Sequence, residues 1–229
     1  MAERVDIEAL DLAALLCSRV CHDIISPVGA IINGLEVLDE DNSEEMKDFA
    51  FDLIRRSARQ ASAKLQFARL AFGAAGSAGA EIDLADAEKV ATGYMQGEKA
   101  EFSFTAPRIL MAKNQVKLLL NLILLAIAAV PRGGSLNVKV EGSKETPRFT
   151  LRSSGPSARI PAAFEHLVPG TIAGIAVDAQ MVQGYYTGAL ARACRLTVGA
   201  ALDGADVVIS AVVAESAVSA DASAAAPAA

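Results

Sequence analysis

Cysteine occurs only three times and histidine twice in this chain of 229 residues. Cys17, Cys21 and Cys194 are too few and too unevenly placed for a disulfide framework, which fits a reducing compartment. Cys17 and Cys21 stand four apart beside His22, yet a complete metal site needs more ligands than the sequence offers there, so they read as small buried thiols. An excess of positive charge is also missing: 21 lysines and arginines against 27 acids leave a formal net charge of −6. Nucleic acid and anionic lipid both demand a concentrated positive surface, so neither is expected as a partner. The opening MAERVDIEAL is acidic where a secretory leader is basic and then apolar, and gives no sign of export. The longest apolar run, VKLLLNLILLAIAAV at 116–130, holds Lys117 and Asn121 and falls short of the ~18–20 residues that span a bilayer. It predicts a buried helix in a cytoplasmic protein rather than a membrane anchor.

What the chain has in quantity is apolar residues, 52% of the total, which is ample for a core. They recur at Leu12, Leu16, Val20, Ile24, Val28, Ile31, Leu35 and Leu38, the three-and-four spacing of one face of a long helix. In DEDNSEE at 39–45, Asn42 and Ser43 are turn and N-cap candidates, followed by acids that suit a positive helix start. A second periodic run passes through Met46, Ala50, Leu53, Ser57, Ala61, Leu65, Ala68 and Phe72. Two long helices on a short loop predict an antiparallel hairpin over 1–75, and a lone hairpin leaves apolar surface uncovered, which predicts a homodimer. GAAGSAGA at 73–80 reads as the boundary. Mixed helix and strand follow over 81–213: EKAEFSFTAP, SLNVKVEG, PRFTLRSSG, LTVGAAL and ADVVISAVV as strands, 114–130 and VDAQMVQGYYTGALARACRL as helices. Asp203-Gly204 marks a terminal hairpin turn. The tail at 214–229 is low in complexity and is expected to be disordered.

Within the first helix, Leu15, Ser18, His22, Ser26, Gly29 and Asn33 form one stripe, nearly opposite Ile24 and its apolar row. Small and polar neighbours leave space for another protein to approach the imidazole. Pro27 lacks an N–H and presses on the carbonyl of Asp23, at a cost of about 3 kcal/mol in a helix interior. A proline there, one turn past His22, needs a reason.

The run H-D-I-I-S-P at 22–27 resembles the H box of sensor histidine kinases. In that superfamily a hairpin bearing the H box dimerises into a four-helix bundle and precedes an ATP-binding α/β sandwich, the order found here. LLLNLILLAIAAVPRGGSLNVKV is similar to the kinase N-box region, but Leu125 stands where the second, magnesium-binding asparagine belongs. In RSSGPSARIP, Ser153 and Ser157 replace the aspartate and second glycine of an Asp-x-Gly-x-Gly adenine-binding box, and GTIAGIAVDAQMVQGYYTG holds no copy of the glycine-rich lid. Leucine cannot ligate a hard cation that wants oxygen, and serine lacks the carboxylate charge. A histidine retained beside a dismantled nucleotide site resembles the ChpT-type bacterial histidine phosphotransferases over residues 1 to about 213.

The resemblance implies an α+β fold: a hairpin forming a dimeric four-helix bundle, then a degenerate ATPase-like α/β sandwich. It implies that His22 accepts phosphate from the aspartate of a hybrid kinase's receiver domain and passes it to response regulators of cell-cycle control. ATP is not required, and the chain itself binds no cofactor or metal; Mg²⁺ comes with the receiver domains. An imidazole titrates near pH 6.5 in water, so a neutral ring nitrogen is available as nucleophile. Asp23 occupies the position that assists proton transfer in kinases, and Arg19 is placed to balance phosphoryl charge. Ser18, Arg19, Ser26, Gly29 and Asn33 are the expected docking surface, and His166 is a loop residue. Two other readings remain open at the level of sequence: an ATP-dependent histidine kinase, and a binding module that sequesters a two-component partner without accepting phosphate.

Overall fold

Helix α1 (Ala9–Glu40) runs through Pro27 without a break and lays Pro27 and Gly34, its two buried residues, on α2 (Glu44–Ala71). The computed structural model describes residues 6–40, 43–73, 80–172 and 174–214. Ser43 is the N-cap of α2, with extended backbone before the first turn, while Asn42 lies outside the described residues. On α2 the buried line against α1 is Ala50, Ser57 and Ala61, and small side chains on both helices let the backbones approach.

The apolar row of α1 does not face one core. Leu10, Ile25, Val28, Ile32 and Leu35 are exposed, and so are Cys17 and Cys21, which corrects the expectation of buried thiols. These residues share a face that α2 does not reach, and among the described residues no other element covers it. By length and composition α1 is a helix able to cross a membrane. Its central Arg19, His22 and Asp23 and its packing on α2 describe an amphipathic hairpin helix instead.

A five-stranded sheet carries the second layer. Its order is β2 (Ala100–Thr105), β4 (Gly134–Glu141), β5 (Arg148–Ser154), β7 (Asp206–Val213), β6 (Leu196–Asp203). Only β2–β4 is parallel. The Gly133-Gly134 turn needs φ of +88° and +136°, and a Cβ on Gly134 would collide with the Ser154 carbonyl, which is why glycine enters β4. Gly204 closes the β6–β7 hairpin at φ +63°.

Helix α4 (Lys113–Ala128) is apolar all round and therefore central: Val116 to Ala126 are all buried, between the sheet and helices α2, α3 and α5. The short β1 (Glu81–Asp83) and β3 (Leu110–Ala112) pair antiparallel. Between them α3 (Leu84–Met95) starts on an Asp83 cap that accepts from the Ala85 amide at 2.8 Å. Sequence periodicity did not find α3, because its buried face is Leu84, Ala87, Ala91 and Met95, two of them alanines with little hydrophobic contrast. Helix α5 (Val182–Ala193) begins later than expected, since 179–181 is a turn. Part of the 73–80 boundary (74–79) and the tail from 215 lie outside the described residues.

Candidate functional site

His22 stands at the middle of α1 with 65% of its side chain exposed. Its Nδ1 lies 3.6 Å from Oδ1 of Asp23, long for a hydrogen bond but within ion-pair reach. The other oxygen of that carboxylate, Oδ2, accepts from Nε of Arg19 at 3.0 Å. Asp23 thus divides its two oxygens between guanidinium and imidazole. A carboxylate beside Nδ1 favours the tautomer with the proton on Nδ1 and leaves the lone pair on Nε2.

Of the expected docking residues, Ser18, Ser26 and Asn33 are exposed around the ring, and Gly29 has nothing within 4 Å of where a Cβ would stand. Arg19 differs. Only 19% of its side chain is exposed, and beyond Asp23 its Nη1 reaches the Gln180 carbonyl at 3.5 Å. It is tied within the molecule, because the loop ahead of α5 comes down on this turn of α1. His166 lies exposed in its loop, as expected.

Contacts that sequence reasoning could not supply flank this row. The Tyr94 phenol of α3 stacks on Phe67 of α2 at 4.6 Å between ring centroids. Burial raises its pKa, the carboxylates of Glu98 and Asp23 raise it further, and Arg19 pulls it back, so a neutral phenol shares the field of the Arg19–Asp23 pair. Toward the N-terminus, the Ile7 amide donates to the Tyr185 hydroxyl at 3.0 Å, which donates to Asp6 at 3.2 Å. Ile7 and Leu12 pack on Leu167, Ile172 and Tyr185. These ties join elements about 180 positions apart and leave no local pattern.

Of the positions that resemble kinase nucleotide-binding residues, Leu125 and Ser153 lie in the core and Ser157 is exposed. Leu125 is 3% exposed. Asn121 is fully buried; its Nδ2 donates to the carbonyls of Ala71 and Lys117, at 3.2 and 2.9 Å, and its backbone carbonyl accepts from Gln183 of α5 at 2.8 Å. Ser153, also buried, donates to the Ala126 carbonyl at 2.8 Å. Ser157 keeps a left-handed φ of 65° where the kinase box has glycine, so the loop retains its bend after losing the residue that suits it. Helix α5 presses on the loop beside it: a Cβ on Gly188 would overlap the Val168 carbonyl.

The family described as histidine phosphotransferase C-terminal domain matches residues 84–227. The protein phosphotransferase ChpT of Brucella abortus (strain 2308) is 52% identical over 211 residues, 92% of this chain and all of that protein. A solved structure of a bacterial phosphotransferase superposes with a TM-score of 0.84 at 50% identity, covering 91% of this chain and 98% of the other. An exposed histidine on a helical hairpin, a sandwich with Leu125 and Ser153 buried in its core, and this degree of likeness agree: the chain belongs to the ChpT-type histidine phosphotransferases.

Proposed function

We propose that this phosphotransferase is a phosphorelay intermediate, taking a phosphoryl group from the aspartate of a hybrid histidine kinase's receiver domain onto His22 and giving it to the aspartate of response regulators. The Nε2 lone pair attacks phosphorus, and the bond from phosphorus to the donor carboxylate breaks with its electrons returning to that carboxylate. In the second transfer the acceptor carboxylate attacks phosphorus and the N–P bond electrons return to Nε2. Asp23 faces the Nδ1 proton throughout and offsets the positive charge that develops on the ring. Mg²⁺ and both aspartates belong to the receiver domains, and the chain contributes position and an exposed nucleophile, which is most of what phosphoryl transfer needs.

The observation that carries this reading is the pairing of a 65%-exposed imidazole with Asp23 at 3.6 Å. Buried Leu125 and Ser153 support transfer without ATP, since neither can meet a nucleotide without opening the core. The exposed stripe of Leu10, Cys17, Cys21, Ile25, Val28, Ile32 and Leu35 supports a homodimer in which a second hairpin covers it. Ser18, Ser26, Gly29 and Asn33 form the docking rim, and the site of action is the cytoplasm, where receiver domains operate.

The test is a phosphotransfer assay with a phosphorylated receiver domain, run beside His22→Ala and beside labelled ATP with Mg²⁺. Label should pass from receiver to wild type and not to His22→Ala. Label arriving on His22 from ATP alone would make the protein a kinase, and an effect on the pathway that survives in His22→Ala would make it a sequestering module.

A further inference from the structure

Among the described residues, the sandwich makes a polar contact with the phosphoacceptor turn through the Gln180 carbonyl. Asp178 accepts from the backbone amides of Gln180 and Met181, both at 2.8 Å, and this Asx turn sets the start of α5. The Gln180 carbonyl it holds receives Nη1 of Arg19 at 3.5 Å, Nε of Arg19 holds Asp23 at 3.0 Å, and Asp23 stands 3.6 Å from Nδ1 of His22. Oδ1 of Asp178 takes both amides and each later contact uses a separate atom, so contacts run from the loop to the imidazole, the last of them at ion-pair distance. Packing backs it up: Met181, next to Gln180, lies with Ile7 and Leu12 against Leu167, Ile172 and Tyr185.

The order of the ion pair says that helix stability is not its purpose. On an isolated helix the favourable arrangement puts the acid four residues before the base, and here Arg19 precedes Asp23. Both side chains are about four-fifths covered, which an ordinary solvated pair is not. A free Asp23 has several rotamers, and only some bring Oδ1 to the ring. With Oδ2 pinned by a guanidinium that is itself pinned by the loop, Oδ1 stays on the Nδ1 side.

We propose that Arg19 and the 178–181 turn are positioning elements for phosphotransfer: the sandwich, having no nucleotide to deliver, holds Asp23 through Arg19 so that His22 keeps its proton on Nδ1 and its lone pair on Nε2. This rests on the reading of His22 as phosphoacceptor and gives the degenerate sandwich a task in the same reaction. Arg19 is then unavailable as a docking residue.

The experiment uses the full-length protein with Arg19→Gln, Arg19→Lys, Asp178→Ala and His22→Ala. Long-range ¹⁵N–¹H correlation at about pH 8, where imidazoles are neutral, reads the His22 tautomer directly. Wild type should show the proton on Nδ1; Arg19→Gln and Asp178→Ala should show a mixture. Single-turnover transfer from a phosphorylated receiver should slow by about tenfold to a hundredfold in both, with the half-saturating receiver concentration unchanged. Arg19→Lys keeps a charge for Asp23 but lacks the fork that also reaches the loop, and should fall between. If Arg19→Gln and Asp178→Ala keep the wild-type tautomer and rate while His22→Ala is dead, the positioning chain is wrong and the relay stands. If His22→Ala still accepts phosphate, the relay itself is wrong. A rise in half-saturating receiver concentration at an unchanged maximal rate would return Arg19 to the docking surface.

Discussion

Gly34 and Ile54 meet where the two hairpin helices come closest: a Cβ on Gly34 would stand 2.7 Å from Cγ1 of Ile54 and 3.3 Å from the Ala50 carbonyl. Nothing larger than hydrogen fits unless the Ile54 side chain turns or the helices part. Gly34→Leu should therefore destabilise the protein by about 1–3 kcal/mol through overpacking, seen as a lower urea midpoint at unchanged slope. Gly34→Ala should change stability far less, because alanine's better helix propensity, about 1 kcal/mol, offsets the push on a side chain that can turn away.

Arg152 of β5 ties down the last hairpin, donating to Asp206 at 2.8 Å and to Asp203 across the turn. Hydrogen bonds from Arg152 first and Ser154 second hold the Asp206 carboxyl below the usual carboxylate range. A carboxyl lowered in the folded state contributes stability that is complete above its unfolded pKa of about 3.9 and is lost as pH falls through the lower folded value. Protection factors of the β6–β7 amides should fall below about pH 4 more steeply in wild type than in Asp206→Asn, which has no such proton to take up. Equal slopes in the two proteins would remove this tie from the acid response.

The second-copy reading of α1 has a thiol signature. Cys17 and Cys21 are exposed in a single chain and lie on the same stripe as Ile25, Val28 and Ile32. In a dimer they should react slowly with a maleimide. Ile32→Glu places a charge in the seam, so it should sediment as a monomer and expose both thiols to fast labelling. Cys194 should stay slow in both proteins, because it is half-buried and burial pushes its thiol up to about 11. Fast labelling of Cys17 and Cys21 in wild type at dimer concentrations would leave the stripe without an occupant.

The hairpin, the buried helix and the paired terminal strands were legible because each follows a strong period: three-and-four spacing through α1 and α2, an unbroken apolar run in α4, and alternation in β4 and β7. The alanine-rich α3 gave no such contrast, and Asp178 delays the start of α5 by holding the Gln180 and Met181 amides in a turn. His22 and Asp23 were legible as neighbours in a motif. That Arg19 turns inward was not, since its partner is the carbonyl of Gln180, 161 residues on, which any residue type would have provided. Which apolar face of α1 is covered likewise depends on where α2 lies, and periodicity alone does not give that.

Restoring one kinase residue tests how completely the nucleotide site has become core. Leu125 is 3% exposed on a helix packed all round; nearby, Ser153 is committed to the Ala126 carbonyl and Nδ2 of Asn121 to the Ala71 and Lys117 carbonyls, while Oδ1 of Asn121, one turn before Leu125, has no partner among the described residues. In Leu125→Asn an amide would enter this layer with Oδ1 of Asn121 able to accept from one of its N–H groups, while its own oxygen finds no donor. The loss of apolar packing plus an unmet polar group should cost about 2–4 kcal/mol, read from chemical denaturation. Titration with MgATP should show no heat of binding, because one asparagine supplies a ligand atom but neither the adenine-binding carboxylate, which Ser153 replaces, nor a cavity. Binding of MgATP by this single variant, with stability kept, would mean that the site is latent rather than filled, and that the sandwich can still open as a kinase's does.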